Sequence, residues 1–135
     1  MSKAVLLDTH SLMWLLAGEE LGPDAKAQIG TSEFDAIVAV SAYTFWEVAM
    51  LVRKRRIAMS SPLLDWRDQV LAKGIREFPV TGEIAIKAET LVDFHPDPAD
   101  RLIVATAMQF GLTLITADEA ILAWPGVLER QDAKK

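Results

Sequence analysis

Short apolar runs that stop at a polar residue, separated by longer stretches of helical period, restrict this chain to very few folds. AVLL (residues 4–7) ends at Asp8, AIVAV (36–40) ends at Ser41, and TLIT (113–116) ends in Thr116 with Asp118 close behind. IREFPV (75–80) is a weaker run of the same kind, and VLE (127–129) reads as a short edge strand. Between the runs the spacing turns helical: Leu63, Trp66, Val70 and Leu71 share one face, as do Ile84, Ala88, Leu91 and Val92. GPDAKAQI (22–29) reads as a helix started by Pro23, and Gly74 and Gly111 stand where helix C-caps are expected. Strands alternating with helices pair in parallel and are covered on both faces. The expected architecture is a three-layer α/β/α sandwich around a central, mainly parallel sheet.

With 135 residues, no internal repeat and no linker-like tract, the expectation is one domain spanning 1–135. The apolar content of 51% excludes a disordered chain. No run approaches the roughly 18 apolar residues of a membrane span, because SLMWLLAG meets Glu19 and Glu20. The beginning of the chain lacks the basic, apolar and cleavage-site order of a secretory leader, and there is no cysteine to build a disulfide frame, so a reducing cytoplasm is expected.

A parallel sheet gathers function outside the carboxyl ends of its strands. Asp8, Ser41, Thr116 and Asp118 therefore belong to one edge, however distant in sequence. Glu47 joins them as a carboxylate in YTFWEVAMLV, a helix apolar nearly all round and expected to be buried on most sides. HPDPADR (95–101) adds Asp97 and Asp100 at the start of another helix.

Each acid also has a purely structural reading. Asp8 caps a helix beginning near Thr9; Asp97 caps the helix opened by Pro98, with Asp100 in its first turn; Thr116 and Glu119 form a capping box around Asp118; Glu47 pairs with Arg101. Taken together, however, carboxylates crowded at one edge repel, and divalent cations are the natural counter-charge. The net charge of −5 argues against gripping nucleic acid by bulk electrostatics, but not against contact through such ions. The absence of cysteine and the presence of only His10 and His95 leave too few ligands for a usual zinc site, so an oxygen-ligated Mg²⁺ or Mn²⁺ is expected.

In their order and spacing, LLDTHSLMWLL, SAYTFWEVAML, HPDPADRLIVATA and TLITADEAI resemble the motifs of PIN-domain ribonucleases, most of all the VapC toxins of toxin–antitoxin pairs. The resemblance covers nearly the whole chain. It implies that Asp8, Glu47, Asp100 and Asp118 are the catalytic, metal-holding acids, with Asp118 on the most variable position of the pattern. Thr116 matches the hydroxyl residue that orients the acids, and Asp97 takes the first position of the DPxDR pattern in a capping or supporting role. It further implies endonucleolytic cleavage of RNA by metal-activated water and inhibition by a cognate VapB-type antitoxin.

Other features are less specific. Arg53, Lys54, Arg55 and Arg56 either touch the RNA backbone or favour a helix C-terminus, the second reading slightly ahead. Arg101 either contacts phosphate or fixes a carboxylate. Trp14, Trp46 and Trp66 read as packing, and His10 and His95 as flanking the site. A mean hydropathy of +0.20 with many apolar helix positions leads us to expect a homodimer. A non-catalytic RNA- or protein-binding PIN module is the alternative reading. A phosphoacceptor receiver domain fits less well, since Asp8 is followed by Thr9 rather than a second acid, and no Lys-Pro follows the last strand. A haloacid-type phosphatase would need an acid where His10 stands.

Overall fold

The computed structural model describes residues 4–18, 20–30 and 37–135. Five strands, β1 (Ala4–Leu7), β2 (Ile37–Ser41), β3 (Arg76–Phe78), β4 (Thr113–Thr116) and β5 (Arg130–Asp132), form one sheet in the order β3-β2-β1-β4-β5. All four pairings are parallel, with Leu6 opposite Ala39 on one side and Leu114 on the other. Among the described residues seven helices join and cover them: α1 (Thr9–Ala17), α2 (Pro23–Ile29), α3 (Ala42–Arg53), α4 (Leu63–Ala72), α5 (Gly82–Glu89), α6 (Pro98–Phe110) and α7 (Glu119–Ala123). None of the described helices is long and apolar enough to cross a membrane.

The strand pleat distributes the apolar runs to two cores. Val5, Leu7, Val38, Val40 and Ile115 pack with Leu12 of α1, Ala25 and Ile29 of α2 and Val70 of α4. Leu6, Ala39 and Leu114 point the other way, onto Ile103, Val104 and Ala107 of α6 and Ile121 of α7. Each such aliphatic side chain removed from water contributes about 1.5–3 kcal/mol, which is why continuous apolar runs, rather than alternating ones, mark the central strands. The three-layer expectation is met. Pro23 opens α2, and Gly111, with φ 64°, closes α6.

Three local expectations are corrected. The edge strand is not 127–129 but Arg130–Asp132, whose polar residues pair with β4 through the backbone; Val127 is 92% exposed. The helix predicted through Val92 stops at Glu89, where the cap residue Thr90 donates its backbone N–H to Ile86 and Lys87, leaving Leu91 and Val92 in the following loop. α3 is not buried on most sides: only Thr44 and Val48 are fully enclosed, and Trp46 is 57% exposed beside Tyr43 instead of packing in a core. Ala36, placed in the second strand from sequence, lies outside the described residues.

The sheet order reverses direction at β1: successive strands run outward through β2 and β3, and then resume on its other side with β4 and β5. In open α/β sheets the crevice at such a switch point, between the carboxyl ends of the two diverging strands, is where ligands bind. Here it lies between β1 and β4.

Gly111 should be a sensitive glycine of this scaffold. A Cβ there meets nothing within 4 Å, yet the left-handed φ penalises any L side chain, so Gly111→Ala should cost about 1 kcal/mol. Gly82→Ala, equally uncrowded and free of positive φ, should leave stability equal or up to about 1 kcal/mol higher. Denaturant melts of the two variants check this; equal losses would contradict it.

Candidate active site

Each strand that ends at the switch point delivers a polar group, and the following helix fixes it. Asp8 follows β1 and caps α1: its Oδ1 accepts from the backbone N–H of Ser11 at 2.9 Å. Its Oδ2 accepts from the hydroxyl of Thr116, at the end of β4, at 2.6 Å. Thr116 in turn accepts from the backbone N–H of Asp118, and Asp118 caps α7 by accepting from Ile121 at 3.0 Å. The capping box expected around Thr116 and Glu119 is thus replaced by Asp118 as the cap itself. The acids' capping and site positions are not alternatives: one oxygen satisfies a helix N-terminus while the carboxylate stays at the edge.

Glu47 reaches the same place from the middle of α3. The hydroxyl of Thr9 donates to its Oε1 and also lies 3.3 Å from the hydroxyl of Thr44. Thr9 was not singled out from sequence; its only signal is its place beside Asp8. Among the described residues Arg101 forms no ion pair with Glu47 or any other carboxylate. Its guanidinium donates to backbone carbonyls of His95 (2.8 Å), Ala88 (2.9 Å) and Phe94 (2.6 Å), and it lies 5.8 Å from the Phe94 ring. A planar fork with five donors suits such a bundle of carbonyls, and Arg101 fastens the loop ahead of α6.

That loop and α6 complete the site. α6 runs back antiparallel to β4 and joins it through only Gly111 and Leu112, so its N-terminus reaches the edge where β4 ends. Asp97 caps it, accepting from Ala99 at 2.9 Å. Asp100, one turn further, is turned inward, with its side chain 21% exposed. Asp8, Glu47, Asp97, Asp100 and Asp118 all line one cleft of about 340 Å³, with Thr9, His10 and Trp14 on its wall. His95 lies closer in than expected: one donor atom each from His95, Asp100 and Asp118 fall within 4.8 Å of one another. Arg53, Lys54, Arg55 and Arg56 are exposed at and beyond the C-terminal end of α3 and do not line the cleft.

Crowding is visible in the protonation of Asp100. Its carboxyl is pushed up to about 7, first by burial and then by the charges of Asp118, Asp97, Asp8 and Glu47. Burial, followed by Glu47, Asp97 and Asp100, likewise pushes up the Tyr43 phenol at the start of α3. A site that raises a carboxyl in this way is one that a cation would relieve, and its oxygen-rich donor set fits a hard divalent ion.

The PIN domain family model matches residues 5–125, and the chain belongs to that family. It is similar to Ribonuclease VapC22 of Mycobacterium tuberculosis (strain ATCC 25618 / H37Rv), with 37% identity over 118 residues, 87% of this chain and 88% of that protein. The fold is shared with a toxin–antitoxin complex from Klebsiella pneumoniae, with a TM-score of 0.61 and 22% identity across 93% of this chain and 96% of that one. It is shared equally with VapBC2 from Rickettsia felis bound to a DNA fragment from their promoter, with a TM-score of 0.62 and 15% identity across 95% and 98% of the two chains.

The raised Asp100 carboxyl gives a pH dependence of defined sign. From about 4 to about 7 the folded, metal-free chain holds a proton that the unfolded chain has released, so stability should fall as pH rises through that window. Asp100→Asn removes the effect. Denaturant melts in EDTA should show a flatter pH profile for the variant, which should match or exceed wild type at about pH 8. A variant less stable than wild type at that pH would contradict the crowding.

Proposed function

We propose that this chain is a metal-dependent endoribonuclease, the toxin of a VapBC-type pair, and that the cleft at the β1–β4 switch point is where it hydrolyses RNA phosphodiester bonds. The observation that carries the reading is the convergence of Asp8, Glu47, Asp97, Asp100 and Asp118 on one cleft, where their charges and burial drive the Asp100 carboxyl up to about 7. The similarity to Ribonuclease VapC22 supplies the substrate class.

Asp8, Glu47, Asp100 and Asp118 are the residues that would hold Mg²⁺ or Mn²⁺. When bound, such an ion supplies Lewis acidity, acidifying water and neutralising charge at the scissile phosphodiester. The protein's own groups do the positioning. Thr116 holds one oxygen of Asp8, and Thr9 holds one oxygen of Glu47, so neither carboxylate swings freely. Asp97 keeps its cap on α6 and thereby fixes the rotation that turns Asp100 inward. Asp100 must give up its proton to serve, so cation binding and proton release are coupled at this residue.

Arg53 to Arg56 begin about 9 Å beyond Glu47 along α3, taking 1.5 Å per residue, and a polymer extending past the cleft reaches them. The half-exposed apolar surface of α3, with Trp46 at its centre, is the surface we assign to a homodimer, and a VapB-type antitoxin is the expected inhibitor. The cytoplasm is the expected compartment.

Purified chain should cleave RNA with Mg²⁺ or Mn²⁺ and stop on adding EDTA; full cleavage in EDTA by a nuclease-free preparation would overturn the mechanism. The two aspartates of HPDPADR should separate. Asp97→Ala should lose about 1 kcal/mol of stability and keep most activity, as for a lost cap. Asp100→Asn should stay folded and lose more than about 100-fold in cleavage, beyond the 10–100-fold typical of residues that only support a ligand. The opposite pattern would reverse the two roles.

A further inference from the structure

His95, beside Asp100 and Asp118, is a polar side chain to which the proposed chemistry gives no role. Its ring stacks on Phe94, with centroids 4.5 Å apart and planes 24° from parallel. Phe94 is itself buried, edge-on to Trp124 at 5.4 Å. The plane of the imidazole is therefore set from beneath. Its Nδ1 accepts from the backbone N–H of Asp97 at 3.4 Å. A ring nitrogen that accepts carries no hydrogen, so in the neutral ring the hydrogen sits on Nε2. That Nε2 is shielded from solvent and lies 3.2 Å from Oδ2 of Asp100, outside hydrogen-bonding geometry, and has no hydrogen-bond partner among the described residues. A buried N–H is costly to leave unpaired, and the Asp100 carboxylate is the acceptor beside it.

We propose that His95 is a positioning residue: its Nε2–H holds Oδ2 of Asp100 and leaves Oδ1 to face the cation and the substrate phosphate. This rests on the ribonuclease reading and adds a part to it. The competing arrangement makes Nε2 a nitrogen ligand together with Asp100 and Asp118, whose donor atoms lie within 4.8 Å of it. That would place the hydrogen on Nδ1, against the N–H of Asp97 that already points there. The backbone contact therefore favours donation over ligation. Partners that orient a metal-holding side chain in this way are worth about 10–100-fold in metal affinity.

The test titrates Mn²⁺ by calorimetry into the metal-free full chain as wild type, His95→Gln and His95→Asn. Glutamine returns an N–H near the position of Nε2. Asparagine returns an oxygen near Nδ1, preserving the contact with Asp97, but nothing that reaches Asp100. His95→Asn should weaken Mn²⁺ binding roughly 10–100-fold while His95→Gln stays within about threefold of wild type. The paramagnetic resonance of wild-type bound Mn²⁺ should show no coupling to an imidazole nitrogen. Unchanged affinity in His95→Asn overturns the proposal, as does nitrogen coupling in wild type with both variants equally weakened. Nitrogen NMR of the metal-free wild type decides independently of either variant's folding: hydrogen on Nε2 supports the proposal and hydrogen on Nδ1 overturns it. Failure of wild type to bind Mn²⁺ at all would sink the ribonuclease reading instead, and the NMR result would still decide the His95 contact.

Discussion

The carboxylate of Asp8 joins three parts of the molecule at once. It ends β1, it supplies the cap that α1 needs at its N-terminus, and through the Thr116 hydroxyl it ties β1 to the end of β4. The tie is reinforced by backbone and side-chain contacts to the Ile115 carbonyl, from the Asp8 N–H at 3.3 Å and the Ser11 hydroxyl at 2.9 Å. These contacts close the switch point, where the sheet would otherwise present unpaired strand ends to the cleft. Every other acid is placed relative to this junction: Asp118 through the β4 end, Glu47 through Thr9, and Asp97 and Asp100 through the helix that returns into β4.

Helix capping and metal-type chemistry are compatible here because a carboxylate has two oxygens and four lone-pair directions, while a cap uses one of them. Asp8, Asp97 and Asp118 each accept one backbone N–H through Oδ1. Those contacts satisfy the helix starts and hold the side chains in place. Asp100 stands in the first turn of α6 but is not its cap, which is Asp97. Burial first, and then the charges of Asp118, Asp97, Asp8 and Glu47, raise the Asp100 carboxyl.

What was legible in the sequence follows the same physics. β1, β2 and β4 are central strands buried on both faces, so their apolar runs are continuous and readable. β5 is an edge strand held by backbone pairing, and RQD carries no apolar signal. Asp8, Asp100 and Asp118 were readable because strand ends and helix starts are marked by local pattern, and Glu47 because it is a lone carboxylate in an apolar helix. Thr9 and His95 were not, since a single hydroxyl or imidazole gains its meaning from neighbours 38 and five residues away that only the fold supplies. Arg101 misled for a similar reason: its partners are carbonyl oxygens of a loop, and a sequence displays side chains, not the orientation of its backbone. The apolar helix α3 was read as buried because hydropathy reports a preference for leaving water, which a second molecule can satisfy as well as a core.

An acidic protein acting on an acidic polymer needs its negative charge concentrated and its positive charge supplied at one point. The fold achieves the first through a sheet edge that accumulates carboxylates from β1, α3, α6 and β4. Without an ion, a proton on Asp100 relieves part of the repulsion near neutral pH, and the divalent cation proposed to replace it would relieve more. On the proposed reading the bare cleft is unfavourable and a bound cation would offset this, so that ligand binding and folding stability would be linked through the same group. Stability forgone at Asp100 in the metal-free chain would then return as affinity for the proposed ion, and the rest of the fold, with its two buried aliphatic layers, is what allows the chain to carry that local cost.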